Sequence, residues 1–117
     1  MNVKQVLIVR RDLNMSPGKI AAQCVHAGQR FLMTGLDTEP EDFQEWKATG
    51  ETIVVLGCGS SLELLDLWAQ AKESNLAAHV MVDEGRTEVA PNTNTCLAIG
   101  PACSDRIDPI TRHLRLL

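Results

Sequence analysis

Four short apolar runs punctuate this chain of 117 residues, and most of the sequence between them is polar or apolar at helical spacing. Residues 3–9 form a β-branched apolar run that suits a buried strand. Asn14, Ser16, Pro17 and Gly18 break the pattern, so residues 12–18 form a loop. Residues 19–33 then place Ile20, Cys24, Ala27 and Phe31 on one stripe of a helix. A linker at 35–40 leads into a short acidic helix at 41–48. Residues 52–58 predict a second strand. Ser60 or Ser61 offers an N-cap, with Glu63 placed for a capping box, and opens a helix that reaches about Ser74 and ends at Asn75. A third strand is expected at 79–82 and a fourth at 95–99. The polar segment 83–94 between them is long enough to carry a site. Residues 105–114 predict one or two helical turns before a short apolar tail.

This order predicts a single α/β domain over residues 1–117, with a four-stranded mixed β-sheet covered by helices. The first two connections are long enough for parallel crossovers, whereas the loop between the last two strands suits an antiparallel pair. At this length a chain buries roughly two-thirds of its extended surface, enough for a core without staples.

Composition narrows the function. The chain has two Phe, two Trp and no Tyr, which argues against an aromatic platform for stacking bases. Its four cysteines form no C-x-x-C pair and have no histidine at ligand spacing, so zinc and redox motifs are poor readings. Three of them sit in apolar runs, as reduced cysteines do in the cytoplasm. No signal-peptide layout or membrane-length apolar stretch is present, so a soluble intracellular protein is expected. The formal net charge of −4 is unevenly spread. Residues 1–36 carry +4, residues 37–76 carry −7 and residues 77–117 carry −1. A local basic face in the first third could steer a phosphate backbone, while the bland reading is solvated charge.

Two clusters could do chemistry. In the stretch S-P-G-K-I-A-A-Q-C-V-H, Lys19, Gln23 and His26 fall at i, i+4 and i+7, hence on one helix face. Lys19 would stand at the positive end of the helix dipole, an unfavourable place that suggests a duty towards phosphate or an oxyanion. The junction lacks the glycine spacing and the hydroxyl of a Walker A loop. The second cluster is V-D-E-G-R-T at 82–87 with N-T-N-T at 92–95. Asp83 stands at a strand end, with Thr87, Thr93 and Thr95 supplying hydroxyls. Together a carboxylate and a threonine could hold a water, although a capped turn would use the same residues. His79 reads as core-facing or partnered and His113 as surface.

Taken together, VLIVRRDLNMSPGKIAAQCVHA, TIVVL, NLAAHVMVDEGRT, NTNTCLAIGP and IDPITRHLRLL resemble the second, archaeal and eukaryotic class of peptidyl-tRNA hydrolases. They occur in family order over nearly the whole chain. The resemblance implies a three-layer α/β/α sandwich around a four-stranded mixed sheet. It also implies a homodimer and hydrolysis of peptidyl-tRNA esters in the cytoplasm without metal or organic cofactor. It carries functional roles onto Lys19, Gln23, His26, Asp83, Thr87 and Thr95. Gly18 and Arg86, from the same motifs, are expected to line the substrate site. Water held by Asp83 with Thr87 or Thr95 would attack the ester, with Lys19 at the oxyanion or a phosphate and Gln23 and His26 orienting substrate or Lys19. Two residues depart from the family pattern: Glu84 replaces the usual alanine and should raise the proton affinity of Asp83, and Asn92 replaces a glycine. Two other readings share these residues: a non-catalytic interaction domain of the same fold, and a hydrolase of small esters unrelated to tRNA.

Overall fold

The computed structural model describes residues 2–34, 37–84 and 89–117. Strand β1 (Val3–Arg10) is followed by a 3-10 turn and by helices α1 (Pro17–Gly28), α2 (Arg30–Met33) and α3 (Pro40–Ala48). Strand β2 (Ile53–Cys58), helix α4 (Ser61–Glu73), strands β3 (Ala78–Asp83) and β4 (Thr93–Cys103), helix α5 (Ser104–Thr111) and strand β5 (Arg115–Leu116) complete it. The sheet is mixed, in the order β3-β4-β1-β2-β5. β1 and β2 pair in parallel, and β4 runs antiparallel to both β1 and β3.

The sheet has five strands where the pattern predicts four. The additional one is the two-residue β5, which pairs antiparallel to β2 through Leu56↔Leu116 and Gly57↔Arg115. Two residues are too few to carry a period, so an apolar tail and a strand look alike in sequence. β4 also extends past Gly100 and Pro101, which resemble a terminator. The register against β1 shifts there, between Lys4 and Val6, and a shift of this kind is where a strand accepts a residue without a donor. Gly100 has φ +92°, and a Cβ on it would meet Ala102 N at 2.8 Å and Lys4 O at 2.9 Å, so no other residue fits.

Alternation along β1 divides the core. Val6 and Ile8 pack with Leu64 and Leu67 of α4 and Ile107 and Ile110 of α5, whereas Leu7 and Val9 pack with Ile20, Cys24 and Ala27 of α1. A third cluster joins Val3, Phe31, Trp46 and Ala77, with Phe43 packed against it. Three of the four aromatic rings meet there, Phe31 lying 5.6 Å from Phe43 and 5.9 Å from Trp46 between centroids. The expected continuous helix over 19–33 is broken at Gln29, which lets Ala27 face the sheet while Phe31 turns into the aromatic cluster.

Local chemistry sets the helix ends. Pro17 is the first residue of α1 rather than part of the preceding loop, and Ser16 caps that helix by accepting from Lys19 N at 3.2 Å. Ser60 caps α4 by accepting from Glu63 N at 3.1 Å, while Glu63 Oε1 accepts from Gly59 N at 2.8 Å. At the other end of α4, Leu76 N donates to Ala71 O and Asn75 N to Lys72 O, with Asn75 left-handed at φ +57°.

Strands β1, β2 and β3 point the same way. Their carboxyl ends (Arg10, Cys58 and Asp83) therefore share one edge of the sheet with the N-termini of α1 and α4. Open α/β sheets bind their ligands at such an edge.

Candidate active site

A cleft of about 380 Å³ opens at this edge between α1 and the end of β3. Helical spacing brings Lys19, Gln23, His26 and Arg30 from α1 and the start of α2 to one wall, and β3 supplies Met81, Val82 and Asp83, followed by Glu84. The helix face expected from the i, i+4, i+7 spacing is thus the face that lines the cleft. Arg30 continues the same stripe at i+11 and was missed, although extending the series by one turn reaches it.

At the floor, Lys19 Nζ donates to Asp83 Oδ1 in a close ion pair. Both side chains are about nine-tenths buried, at 10% and 8% exposure. The cation that sits badly against the helix dipole therefore meets a carboxylate from the opposite wall, which offsets the local cost.

Beside this pair, Gln23 Nε2 donates to Thr95 Oγ1 at 2.7 Å, and Thr95 Oγ1 donates to Met81 O at 3.1 Å. The β3–β4 register explains the geometry. Met81 pairs with Cys96 and Val82 with Asn94, so Thr95 is the extra residue of a bulge and its hydroxyl takes the Met81 carbonyl. Thr95 is fully buried and its one O–H is committed to that carbonyl. Its side-chain partner is Gln23.

Asn92 has φ +63°, the left-handed region that asparagine tolerates best among residues with a side chain, and its N–H donates to Asp83 O at 2.8 Å. Asparagine in place of glycine thus keeps the conformation that such a loop needs. Gly18 is exposed, and a Cβ there would meet nothing within 4 Å, so the backbone at the start of α1 is open to close approach. His26 lies at the exposed rim. Arg86 and Thr87 lie outside the described residues.

A second polar network stands at the same edge. Arg10 donates to both carboxylate oxygens of Asp12, at 3.1 and 2.6 Å, and to Asn94 O and Oδ1 at 3.0 and 2.9 Å. Ser61 Oγ also donates to Asn94 Oδ1, at 3.0 Å. The hydrogen bond from Arg10 holds the Asp12 carboxyl below its usual range, and Asp12 in turn raises Arg10. The sequence pattern points to Asn94 within N-T-N-T and to Ser61 as a cap candidate, but not to Arg10 or Asp12 as their partners, because spacing across two strands carries no period. His79 is partnered, as its setting implied: its Nε2 lies 2.8 Å from Asp37 Oδ2. His113 is exposed.

Residues 3–117 match the family model described as peptidyl-tRNA hydrolase PTH2. A peptidyl-tRNA hydrolase of Staphylothermus marinus is 43% identical over 114 residues, covering 97% of this chain and 94% of the relative. One of Methanothermobacter thermautotrophicus is 39% identical over 115 residues, covering 98% and 100%. The human protein named mitochondrial peptidyl-tRNA hydrolase 2 is 40% identical over 113 residues, covering 97% of this chain and 63% of its own length.

Proposed function

We infer the chemistry of the cleft from one premise: the chain belongs to the PTH2 family of peptidyl-tRNA hydrolases. It is a hydrolase that cleaves the ester joining a peptide to tRNA, releasing the peptide and returning the tRNA to translation.

The observation that carries the assignment to this cleft is the Lys19–Asp83 ion pair at its floor. The Asp83 carboxylate takes a proton from a water, whose oxygen attacks the ester carbonyl carbon. The new C–O bond leaves a tetrahedral oxyanion, and the Lys19 ammonium stabilises it. Collapse breaks the bond to the ribose oxygen, which receives the proton held by Asp83 and departs as a hydroxyl. Thr87 joins Asp83 in holding the water. Thr95 acts through Gln23, fixing its amide in the wall of the cleft one helical turn from Lys19. His26 binds substrate at the rim, Arg86 is assigned to substrate by the family resemblance alone, and Gly18 lets the tRNA terminus approach the start of α1, where backbone N–H groups and Lys19 favour phosphate.

The finer expectations belong to the same reading. Apolar clusters on the two faces of the sheet, one under α4 and α5 and the other under α1, support a three-layer arrangement in one domain spanning 1–117. Four free cysteines suit a reducing cytoplasm. The family resemblance supports a homodimer. Among the described residues no helix is long and apolar enough to cross a membrane.

The test is turnover of an N-acetylaminoacyl-tRNA by purified protein. The reading expects N-acetylamino acid and uncharged tRNA in equal amounts, with added uncharged tRNA competing. Cleavage of a simple aliphatic ester with equal efficiency, indifferent to tRNA, would refute it.

A further inference from the structure

Strand β3 is an edge strand of the sheet, and its last residue is Asp83. Three contacts fix which of its backbone groups face β4. Ala77 O accepts from Gly100 N at 2.9 Å, Met81 O from Thr95 Oγ1 at 3.1 Å and Asp83 O from Asn92 N at 2.8 Å. Odd-numbered residues of the strand therefore turn their N–H and C=O towards β4, and Ala78, Val80 and Val82 turn theirs outward. Among the described residues no backbone hydrogen bond reaches those outward groups.

A second cleft, of about 430 Å³, runs along this edge. Residues 78–80 of β3 form its floor, Leu65 and Trp68 of α4 one wall and Arg30 the other. Arg30 also lines the catalytic cleft, so the two openings are neighbours. One of these walls is apolar. Leu65 is 40% exposed and Trp68 37%, whereas the other three aromatic rings pack against one another.

We propose that this open edge seats the peptide portion of the substrate, which lies in the cleft as an added strand parallel to β3. The proposal rests on the hydrolase reading above and names the subsite for half of its substrate. The direction follows from the chemistry. The peptide is esterified through its C-terminal carboxyl, that ester must reach Lys19 and Asp83, and Asp83 is the C-terminal end of β3. Five steps from Ala78 to Asp83, at about 3.3 Å each, give about 17 Å and room for about five peptide residues. Peptides left on tRNA differ in sequence, and main-chain hydrogen bonds to a strand edge recognise any of them, with Leu65 and Trp68 adding contact area. Alternating outward donors and acceptors complement a peptide main chain and have no counterpart in a phosphodiester chain.

The experiment measures kcat/KM for one tRNA carrying N-acetylated peptides of one to five residues, in the wild type and in Val80→Pro. Proline at 80 removes an outward N–H and leaves the β4 ladder its donors, a substitution that edge strands accept. Each protein is judged by its own ratio of five-residue to one-residue substrate. A ratio on the order of tenfold is expected in the wild type, falling to about twofold in Val80→Pro. Wild-type enzyme acting on a peptide N-methylated at the residue facing the edge should show the same loss, without altering the protein. A flat series in the wild type, or a ratio unchanged by both perturbations, would overturn the proposal. So would Trp68→Ala and Lys72→Ala depressing all lengths equally, which would assign the cleft to the tRNA terminus. Self-association that disappears in Val80→Pro while the length series persists would assign the edge to a second copy of the chain. Cleavage of the one-residue substrate alone leaves the hydrolase reading standing without the subsite; cleavage of none overturns both.

Discussion

Thr95→Val exchanges a hydroxyl for a methyl at a fully buried position, and its cost can be worked from two hydrogen bonds. Gln23 Nε2 loses its acceptor at 2.7 Å and Met81 O loses its donor at 3.1 Å. Gln23 is itself only 4% exposed, so water cannot readily replace the lost partner. Leaving a buried polar group unpaired costs about 1–3 kcal/mol, of which the added methyl recovers less than 1 kcal/mol. A net loss of about 2 kcal/mol follows, or roughly 8 °C in Tm for a chain of this length. Gln23→Leu alone should cost about 1 kcal/mol, because Thr95 keeps its bond to Met81 O. The double variant should lose less than the sum of the two by on the order of 1 kcal/mol, since no orphaned amide then remains. Urea denaturation of the four proteins, with equal m-values required, closes the cycle. Additivity within about 0.3 kcal/mol would show that the Gln23–Thr95 bond does not couple α1 to the bulge.

Other outcomes follow from single features. Asn92→Gly should change stability by no more than a few tenths of a kcal/mol, whereas Asn92→Val should cost about 1–2 kcal/mol because a β-branched residue resists positive φ; equal melting temperatures for the two would contradict the assigned backbone. The hydrogen bond with Cys96 lowers the Cys24 thiol and, together with burial, pushes the Cys96 thiol far up, while burial raises Cys58. An alkylating agent under mildly alkaline conditions should therefore label Cys24 before either of the others, and mass mapping that found Cys96 modified first would refute this. Asp12 is held below the usual carboxylate range by Arg10, so its contribution to stability is complete above about pH 4 and fades as pH falls through the lowered folded value. The difference in Tm between wild type and Asp12→Asn should be constant from neutral to about pH 4 and shrink below that; a difference that grows with acid would reverse the sign of the argument.

What could be read in advance depended on whether a signal was local. Helix α1 announced both its stripes, because Ile20, Cys24 and Ala27 recur at helical spacing and Lys19, Gln23 and His26 do so on another face. Ser60 and Glu63 sit at capping-box spacing, and their bonds form, with Glu63 reaching Gly59 N rather than Ser60 N. The sheet order β3-β4-β1-β2-β5 was not legible, since pairing depends on contacts far apart in sequence. The bulge at Thr95 was equally hidden. A threonine in a strand looks the same whether it continues the ladder or is skipped by it, and only the shift from Met81↔Cys96 to Val82↔Asn94 reveals which. Arg10 and Asn94, 84 residues apart, meet because β1 and β4 are neighbours, and no motif spans that distance. Asn92 looked like a flaw against the family's glycine, yet its positive φ is what glycine would supply.

The central claim is that Lys19 and Asp83 carry the hydrolysis. Its direct test is kcat/KM for N-acetylaminoacyl-tRNA in Lys19→Ala and Asp83→Ala, with circular dichroism confirming that each variant is folded. The account predicts a fall on the order of a hundredfold or more in both, because each removes a group that acts in the transition state. Folded variants that cleave within about threefold of the wild-type rate would contradict it and move the chemistry elsewhere along the cleft.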